Sequence, residues 1–313
     1  QALFEPPSWH IDETPLQVQR SPKAVGADHY IVARAGGPPG QRVILYHYIA
    51  SRTRAALQAL FMRGSEPYAG KFVSDGLEHY DHIAETLKLP HFGCLTHART
   101  MFVKAQKVSQ LPSSCTLAGV AIKTHIKAIY AVEDEIRTLV AQYQERGETV
   151  PLPAISALRE KKSKPLFEQF KAWVDELLPG TPPNSALGKA LGYTTRQWPK
   201  LVRHLEHPEI PCDNTYIERQ IKHYATGRKA WLFCYDKVGA QASANLYSLV
   251  MTARINGVEP FGYLHYLFDH LPAADTVEKI ESLLPWKVTA EQLAEHKRQQ
   301  DALLKSATKP KAA

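Results

Sequence analysis

The sequence is poor in several features that would each have fixed its class. Its 313 residues hold four cysteines, Cys94, Cys115, Cys212 and Cys234. None are paired as C-x-x-C, which argues against a disulfide scaffold and for a reducing compartment. No apolar run reaches the ~20 residues that cross a bilayer, so no membrane partner is expected. The opening "QALFEPPSWH" has no basic stretch leading into an apolar one and does not read as a signal peptide. It also lacks a methionine, and the chain reads as a piece of a longer one. There are no internal repeats and no acidic excess. Lys and Arg number 38 against 31 Asp and Glu, a formal charge of +7 that favours, modestly, a polyanionic partner. A chain of this length and ordinary apolar content buries a core without staples.

What is there begins with strands. "SWHIDETPLQVQ" (8–19) alternates, with Ile11 and Glu13 on one face and His10, Asp12 and Thr14 on the other. "DHYIVARA" and "QRVILYHYI" read as two more strands, set off by the turn material "SPKAVGA" and "GGPPG". Ser51 looks like the N-cap of a helix "RTRAALQALFMRG" that ends on Gly64. A short strand "GKFVSDG" stops at Asp75, "LEHYDHIAETLKL" reads as a helix and "PHFGCL" as a last short strand. The order β-β-β-α-β-α-β predicts a mixed sheet with helices on its faces. From Thr96 to Leu205 the strand signals vanish, and three helical stretches follow one another, with Pro165 a kink or break in the second. A helix carrying Glu218 comes next, then "KAWLFCY" and two further helices. The expected divisions are 1–98 (first part of the core), 99–205 (helical insertion), 206–285 (second part of the core) and 286–313 (a charged tail that frays).

Three carboxylates stand out. Asp12 sits on a strand, Asp75 ends one and Glu218 lies on a helix; gaps of 63 and 143 residues separate them, so no local motif joins them. A mixed sheet could still bring them together. Mg²⁺ takes a few carboxylates plus phosphate oxygens, and two such ions clamp the attacking and leaving oxygens of a phosphoryl displacement. The plainer readings make Asp213 a helix N-cap, Glu218 solvated and Asp75 a turn residue before Gly76. Asp12 is harder to explain so, because a strand suits an unpaired carboxylate poorly, although Glu13 competes for its role.

The chain resembles the catalytic region of transposases of the insertion-sequence-66 family. The stretches that carry the likeness are "HIDETPLQV" (10–18), "SDGLEHYDH" (74–82), "GCLTHARTMF" (93–102), "LGYTTRQWPKLVRHLE" (191–206), "IPCDNTYIERQIKHYATGRKAWLF" (210–233), "YSLVMTARINGVEPFGYL" (247–264) and "LLPWKV" (283–288). The resemblance implies an α/β ribonuclease H-like mixed sheet flanked by helices and interrupted by an all-helical insertion. It implies an Asp-Asp-Glu triad, mapped onto Asp12, Asp75 and Glu218, that holds two Mg²⁺ or Mn²⁺ ions. The expected activity is metal-dependent cleavage at transposon ends and strand transfer to target DNA. The alternatives are a nuclease of the same fold that never joins, or an inactive DNA-binding module. The implied partners are double-stranded DNA, further copies of the chain on DNA and accessory proteins of the same element, in a bacterial cytoplasm and on the nucleoid when bound. Where the family has "HARRKF" this chain has Thr100 and Met101 in place of basic residues, and the family's N-terminal DNA-binding region is not in this sequence.

Cys94 and His97 form a C-x-x-H after a strand. Zinc needs three or four such ligands, so a packing and hydrogen-bonding role is expected for the pair and zinc is not. Arg219, Lys222, Arg228 and Lys229 are candidate DNA contacts. Lys222, one turn past Glu218, either binds phosphate or pairs with the glutamate. Arg228 and Lys229, with Trp231 behind them, read as a backbone-binding loop. Trp231 and Phe233 otherwise read as core, Trp198 as packing within the insertion and the lysines of 161–164 as a solvated helix end.

Overall fold

The alternation in "SWHIDETPL" is realised as strand β1 (Ser8–Leu16), in the computed structural model that describes residues 8–20, 29–38, 40–109 and 111–307, with side chains through Leu304. The stretch does not run on to Gln19 as one strand. Gln17 breaks it, and β2 (Val18–Arg20) begins a separate pairing. Next come β3 (His29–Gly36), β4 (Val43–Ile49), α1 (Arg54–Ala59), the two-residue strands β5 (Met62–Arg63) and β6 (Glu66–Pro67), β7 (Lys71–Val73), α2 (Glu78–Leu87), β8 (His91–Phe92) and α3 (Leu95–Val108). Helix α4 (Pro112–Val120) runs through a π-turn at Ala121–Ile126 into α5 (Lys127–Glu145). Helix α6 (Leu152–Leu158) runs through a second π-turn, Arg159–Ser163, into α7 (Lys164–Leu177). Then follow α8 (Ala186–Val202), a 3₁₀ turn at Arg203–Glu206, α9 (Thr215–Trp231), β9 (Cys234–Asp236), α10 (Lys237–Ile255), α11 (Pro260–His270), α12 (Val277–Ser282) and α13 (Ala290–Ala307).

The expected β-β-β-α-β-α-β order is present, with β2 and the β5–β6 hairpin added. The helix expected to reach Gly64 ends at Ala59. Phe61 is buried instead and its carbonyl accepts from Tyr68 N, which folds residues 62–67 back on themselves. Gly64, at φ +62°, makes the turn. The expected turn "SPKAVGA" lies outside the described residues. Among the described residues no strand lies between Phe92 and Cys234, in keeping with the expected helical stretch. Pro165 does not break its helix, because the π-turn immediately before it shifts the hydrogen-bond ladder where proline offers no N–H. The charged tail carries α13 rather than fraying from Trp286.

Two compact units result, residues 1–56 with 219–313 and residues 57–218, so the division falls inside α1 and α9. In the first, β4, β3 and β1 form an antiparallel sheet in which Asp12 stands opposite Ala33 and Ala33 opposite Tyr46. Strand β2 pairs in parallel with β9. Helix α10 lies along β4 and hydrogen-bonds its backbone. Asn256 Oδ1 accepts from Arg42 N (3.1 Å), Thr252 Oγ1 from Ile44 N (3.0 Å) and Ser248 Oγ from Tyr46 N (2.8 Å). Thr252 and Asn256 also donate back to the carbonyls of Ile44 and Arg42. The match is geometric: four helical residues rise about 6.0 Å and two strand residues about 6.6 Å, so an i, i+4, i+8 row meets alternate N–H groups.

In the second unit β7 and β8 pair in parallel, Phe72 opposite His91 and Val73 opposite Phe92. The helices enclose an apolar core that includes Phe102, Ile129, Phe167, Phe170, Val174 and Leu191, with Trp198 packed against it as expected. One buried ion pair crosses this unit. Arg159 Nε and Nη2 hold the two Glu133 carboxylate oxygens at 3.0 and 2.9 Å. Its Nη1 donates to the carbonyls of His204 (2.9 Å), His207 (3.2 Å) and Ile210 (2.9 Å). Arg159 thereby fixes the turn that leads into α9. Antiparallel and parallel strand pairing, with helices packed on the strands, make the chain mixed α/β as expected.

Candidate active site

Glu218 sits in the first turn of α9, where a carboxylate favours the helix dipole. The turn is built from the residues before it. Asp213, expected as the N-cap, stands one residue before it: Asn214 O accepts the first helical bond, from Glu218 N, and Asp213 Oδ1 accepts from Thr215 N (3.0 Å) in the turn that leads into the helix. Its Oδ2 accepts from Tyr130 Oη (2.9 Å) and Thr96 Oγ1 (3.3 Å), which ties the start of α9 to α5 and α3. Burial, and after it Cys212 and Asp213, push the Tyr130 phenol well up, so it stays a donor.

The C-x-x-H pair meets this helix end. Cys94, buried at the N-cap of α3, accepts from Asn214 N through its sulfur (3.2 Å) and donates its S–H to Glu218 Oε1 (3.4 Å). Burial first, and then the charge of Glu218, push this thiol up, which suits a donor. His97 Nδ1 lies 3.3 Å from Glu218 Oε1, within ion-pair reach but out of line for a hydrogen bond. The ligand atoms of Cys94, His97 and Glu218 all lie within 4.8 Å of one another.

Asp75 follows β7, and its Oδ1 accepts from Leu77 N (3.0 Å). The strand end is locked from behind. Ser74, fully buried, places Oγ 2.8 Å from His91 Nε2, and His91 Nδ1 lies 3.0 Å from Asp81 Oδ1, which Lys200 Nζ also reaches at 2.5 Å. Burial lowers the His91 pKa, so the ring is neutral here. Burial would raise Asp81, but the close approach of His91 and the bond from Lys200 outweigh it and hold the carboxyl below its usual range. Gly76 serves close approach rather than a left-handed turn. A Cβ there would stand 2.7 Å from Tyr193 Cε2 and 2.8 Å from its hydroxyl. Burial and then the charge of Asp75 push the Tyr193 phenol up. Tyr193 on α8 is thus a neighbour of the Asp75 turn.

Asp75, Cys94, His97 and Glu218 therefore belong to the second unit. Asp12 belongs to the first, half-buried on β1. Its competitor Glu13 pairs with Arg52 at 2.9 Å. Of the candidate DNA contacts, Arg219, Lys222 and Lys229 are exposed on α9. Arg228 and Lys229 close that helix rather than forming a loop. Arg228 Nη1 donates to Thr14 Oγ1 (2.9 Å) and to the Pro15 carbonyl, so it anchors the end of β1. Trp231 stands edge-on to Tyr224 with centroids 5.6 Å apart, whereas Phe233 is exposed rather than core. The 161–164 lysines include Lys162 and Lys164, paired with Glu135 and Glu160 on the surface. Sequence reasoning missed Ser74, His91, Tyr130 and Tyr193. Ser74 and Tyr193 had a signal, their places in "SDGLEHYDH" and "LGYTTRQW".

No described helix is long and apolar enough to cross a membrane. Comparison with known sequences places these residues in a family. The signature of the Transposase IS66 family matches residues 1–242, and that of the IS66 C-terminal element matches residues 248–286. Three proteins of Sinorhizobium fredii (strain NBRC 101917 / NGR234) are similar. They are the uncharacterized protein y4jD (28% identical, covering 79% of this chain and 46% of that protein), y4hP (22%, covering 91% and 51%) and y4qI (26%, covering 70% and 39%). The chain thus spans about half the length or less of these relatives. Two family signatures that between them account for most of the sequence, β1 through α11 included, make this chain a member of the IS66 transposase family.

Proposed function

We propose that the chain is the catalytic core of a DNA transposase with a ribonuclease H-like fold, in which Asp12, Asp75 and Glu218 ligate two divalent cations. The observation that carries the reading is the environment of Glu218. A half-buried carboxylate accepts a bond from Cys94, with His97 3.3 Å away, at the start of a helix whose next turns expose Arg219 and Lys222. A structural glutamate needs no such basic flank, whereas a phosphate-handling one gains from it.

The donor set fits Mg²⁺ or Mn²⁺: carboxylate oxygens on half-buried residues, with a strand end and a helix end held rigid behind two of them. Such ions, when bound, supply charge neutralisation at the phosphoryl oxygens and activation of water or a 3′-hydroxyl. The chain's own residues do the rest. Cys94 and His97 orient Glu218, Ser74 and Leu77 orient Asp75, and Arg219, Lys222 and Lys229 take up the DNA backbone. In end cleavage, water attacks phosphorus and the 3′-oxygen leaves as the bond breaks. In strand transfer, that 3′-hydroxyl attacks a target phosphodiester and displaces another 3′-oxygen. Both steps need positioning above all.

The test uses labelled transposon-end duplexes and a plasmid target with Mg²⁺ or Mn²⁺. Wild type should cleave and join. Asp12→Asn, Asp75→Asn and Glu218→Gln should each lose about a hundredfold or more of both activities while binding DNA. Cleavage without joining identifies a nuclease instead. Activity that survives all three substitutions overturns the assignment.

A further inference from the structure

Three side chains of the first unit meet where α11 packs on α13. His265 and Asp269 lie one turn apart on α11, and His296 comes from α13. His265 Nδ1 is 3.0 Å from His296 Nε2, His296 Nε2 is 3.2 Å from Asp269 Oδ2, and Asp269 Oδ2 is 3.5 Å from His265 Nδ1. We infer that His265, Asp269 and His296 form a binding site for a divalent transition-metal ion of the Zn²⁺ type.

The triangle itself is the first support. Ligands held about 2.0–2.1 Å from a metal stand about 3.3 Å apart in a tetrahedron and about 2.9 Å apart as octahedral neighbours. The three observed edges fall around those lengths. Hydrogen bonding serves such a triangle poorly, because a ring nitrogen of a neutral imidazole carries at most one proton and cannot direct it along two edges. A cation at the centre serves all three atoms at once.

The surroundings are those of a ligand set. The His296 side chain is 8% exposed, and its ring is fixed between Tyr266 and His270, with centroids 5.4 Å from each. Gln300 Nε2 donates to Asp269 Oδ2 at 2.8 Å and orients that carboxylate. His265 and Asp269 are 45% and 43% exposed, so the open side of the triangle faces solvent and leaves room for water or a further donor. Two imidazoles and one carboxylate suit Zn²⁺ and its neighbours and not Mg²⁺, which takes oxygen. An ion here would clip α13 to α11, adding to the apolar contact that Leu293 makes with the Tyr263–Leu267 cluster.

The experiment strips the chain with a chelator, adds excess Mg²⁺ and titrates Zn²⁺ against a chromogenic chelator, with thermal unfolding followed in parallel. Wild type should bind one Zn²⁺ and gain thermal stability from it. His265→Ala and Asp269→Asn, both at half-exposed positions, should keep the metal-free unfolding temperature, weaken Zn²⁺ by at least about tenfold and lose the thermal gain. His296→Ala should do the same to binding. Cys94→Ser separates this site from the Cys94, His97 and Glu218 group. Zinc binding lost in Cys94→Ser and kept in His265→Ala, or binding unchanged in all these variants, overturns the proposal.

Discussion

Replacing Arg159 with Met should damage the second unit about as much as a large core truncation. Arg159 is 2% exposed and Glu133 5%, so the substitution leaves a buried carboxylate without its partner. Breaking a buried pair in this way costs about 3–5 kcal/mol. The carbonyls of His204, His207 and Ile210 lose their donor as well, which places the expectation at the upper end of that range. For a unit of this size each kcal/mol moves the midpoint by about 2–4 °C, so the unfolding temperature should fall by roughly 6–20 °C. Urea unfolding read from the fluorescence of Trp173 and Trp198, both packed in this unit, measures the loss directly. A second substitution, Glu133→Leu, removes the stranded charge. The double variant should recover part of the stability but stay about 1–3 kcal/mol below wild type, because the three carbonyls remain unserved. A single-variant cost under about 1 kcal/mol, or a double variant no more stable than the single, would refute the reasoning.

Acid should weaken the fold in a defined window. Burial first, and then Arg34 and Arg159, lower His47 and His204 to about 3. The unfolded chain titrates these rings near pH 6.5, so between that pH and about 3 it binds protons that the folded chain refuses. Stability is therefore full above about pH 6.5 and falls as pH drops, by up to about 1.4 kcal/mol per pH unit for each histidine. Urea midpoints at pH 7, 6 and 5 check this, and a flat profile contradicts it. Thr252→Val keeps the side chain's shape but leaves Ile44 N–H without its acceptor. It should cost about 1–3 kcal/mol in the same urea assay, and a neutral effect would show that water serves Ile44 instead.

The strands of the first hundred residues were legible because β1, β3 and β4 carry period-two or β-branched patterns, which depend only on neighbours along the chain. The helical stretch was legible for the same reason. Helix α9 was misjudged at its end, where Gly227 and the basic pair look like loop. In the fold Gly227 is interior to the helix, and Tyr247 approaches too closely for any Cβ, so the missing side chain serves packing between α9 and α10. The hairpin at 62–67 was hidden because two-residue strands have no periodicity to read. At the candidate site the carboxylates themselves were visible, since an acid on a strand is conspicuous. Their supports were not. Ser74 and His91, Asp213 and Tyr130, and Gly76 and Tyr193 are long-range pairs, and nothing local distinguishes His91 or Tyr130 from any other buried aromatic.

The row of Ser248, Thr252 and Asn256 along β4 has a consequence for the outer edge of the sheet. β4 ends its sheet, and an outermost strand ordinarily presents a ladder of unclaimed amides onto which a foreign strand can zip. Here three side chains from one helix already claim alternate rungs. Extension of the sheet past β4 is therefore closed, and a foreign strand finds no free alternate rungs on this edge.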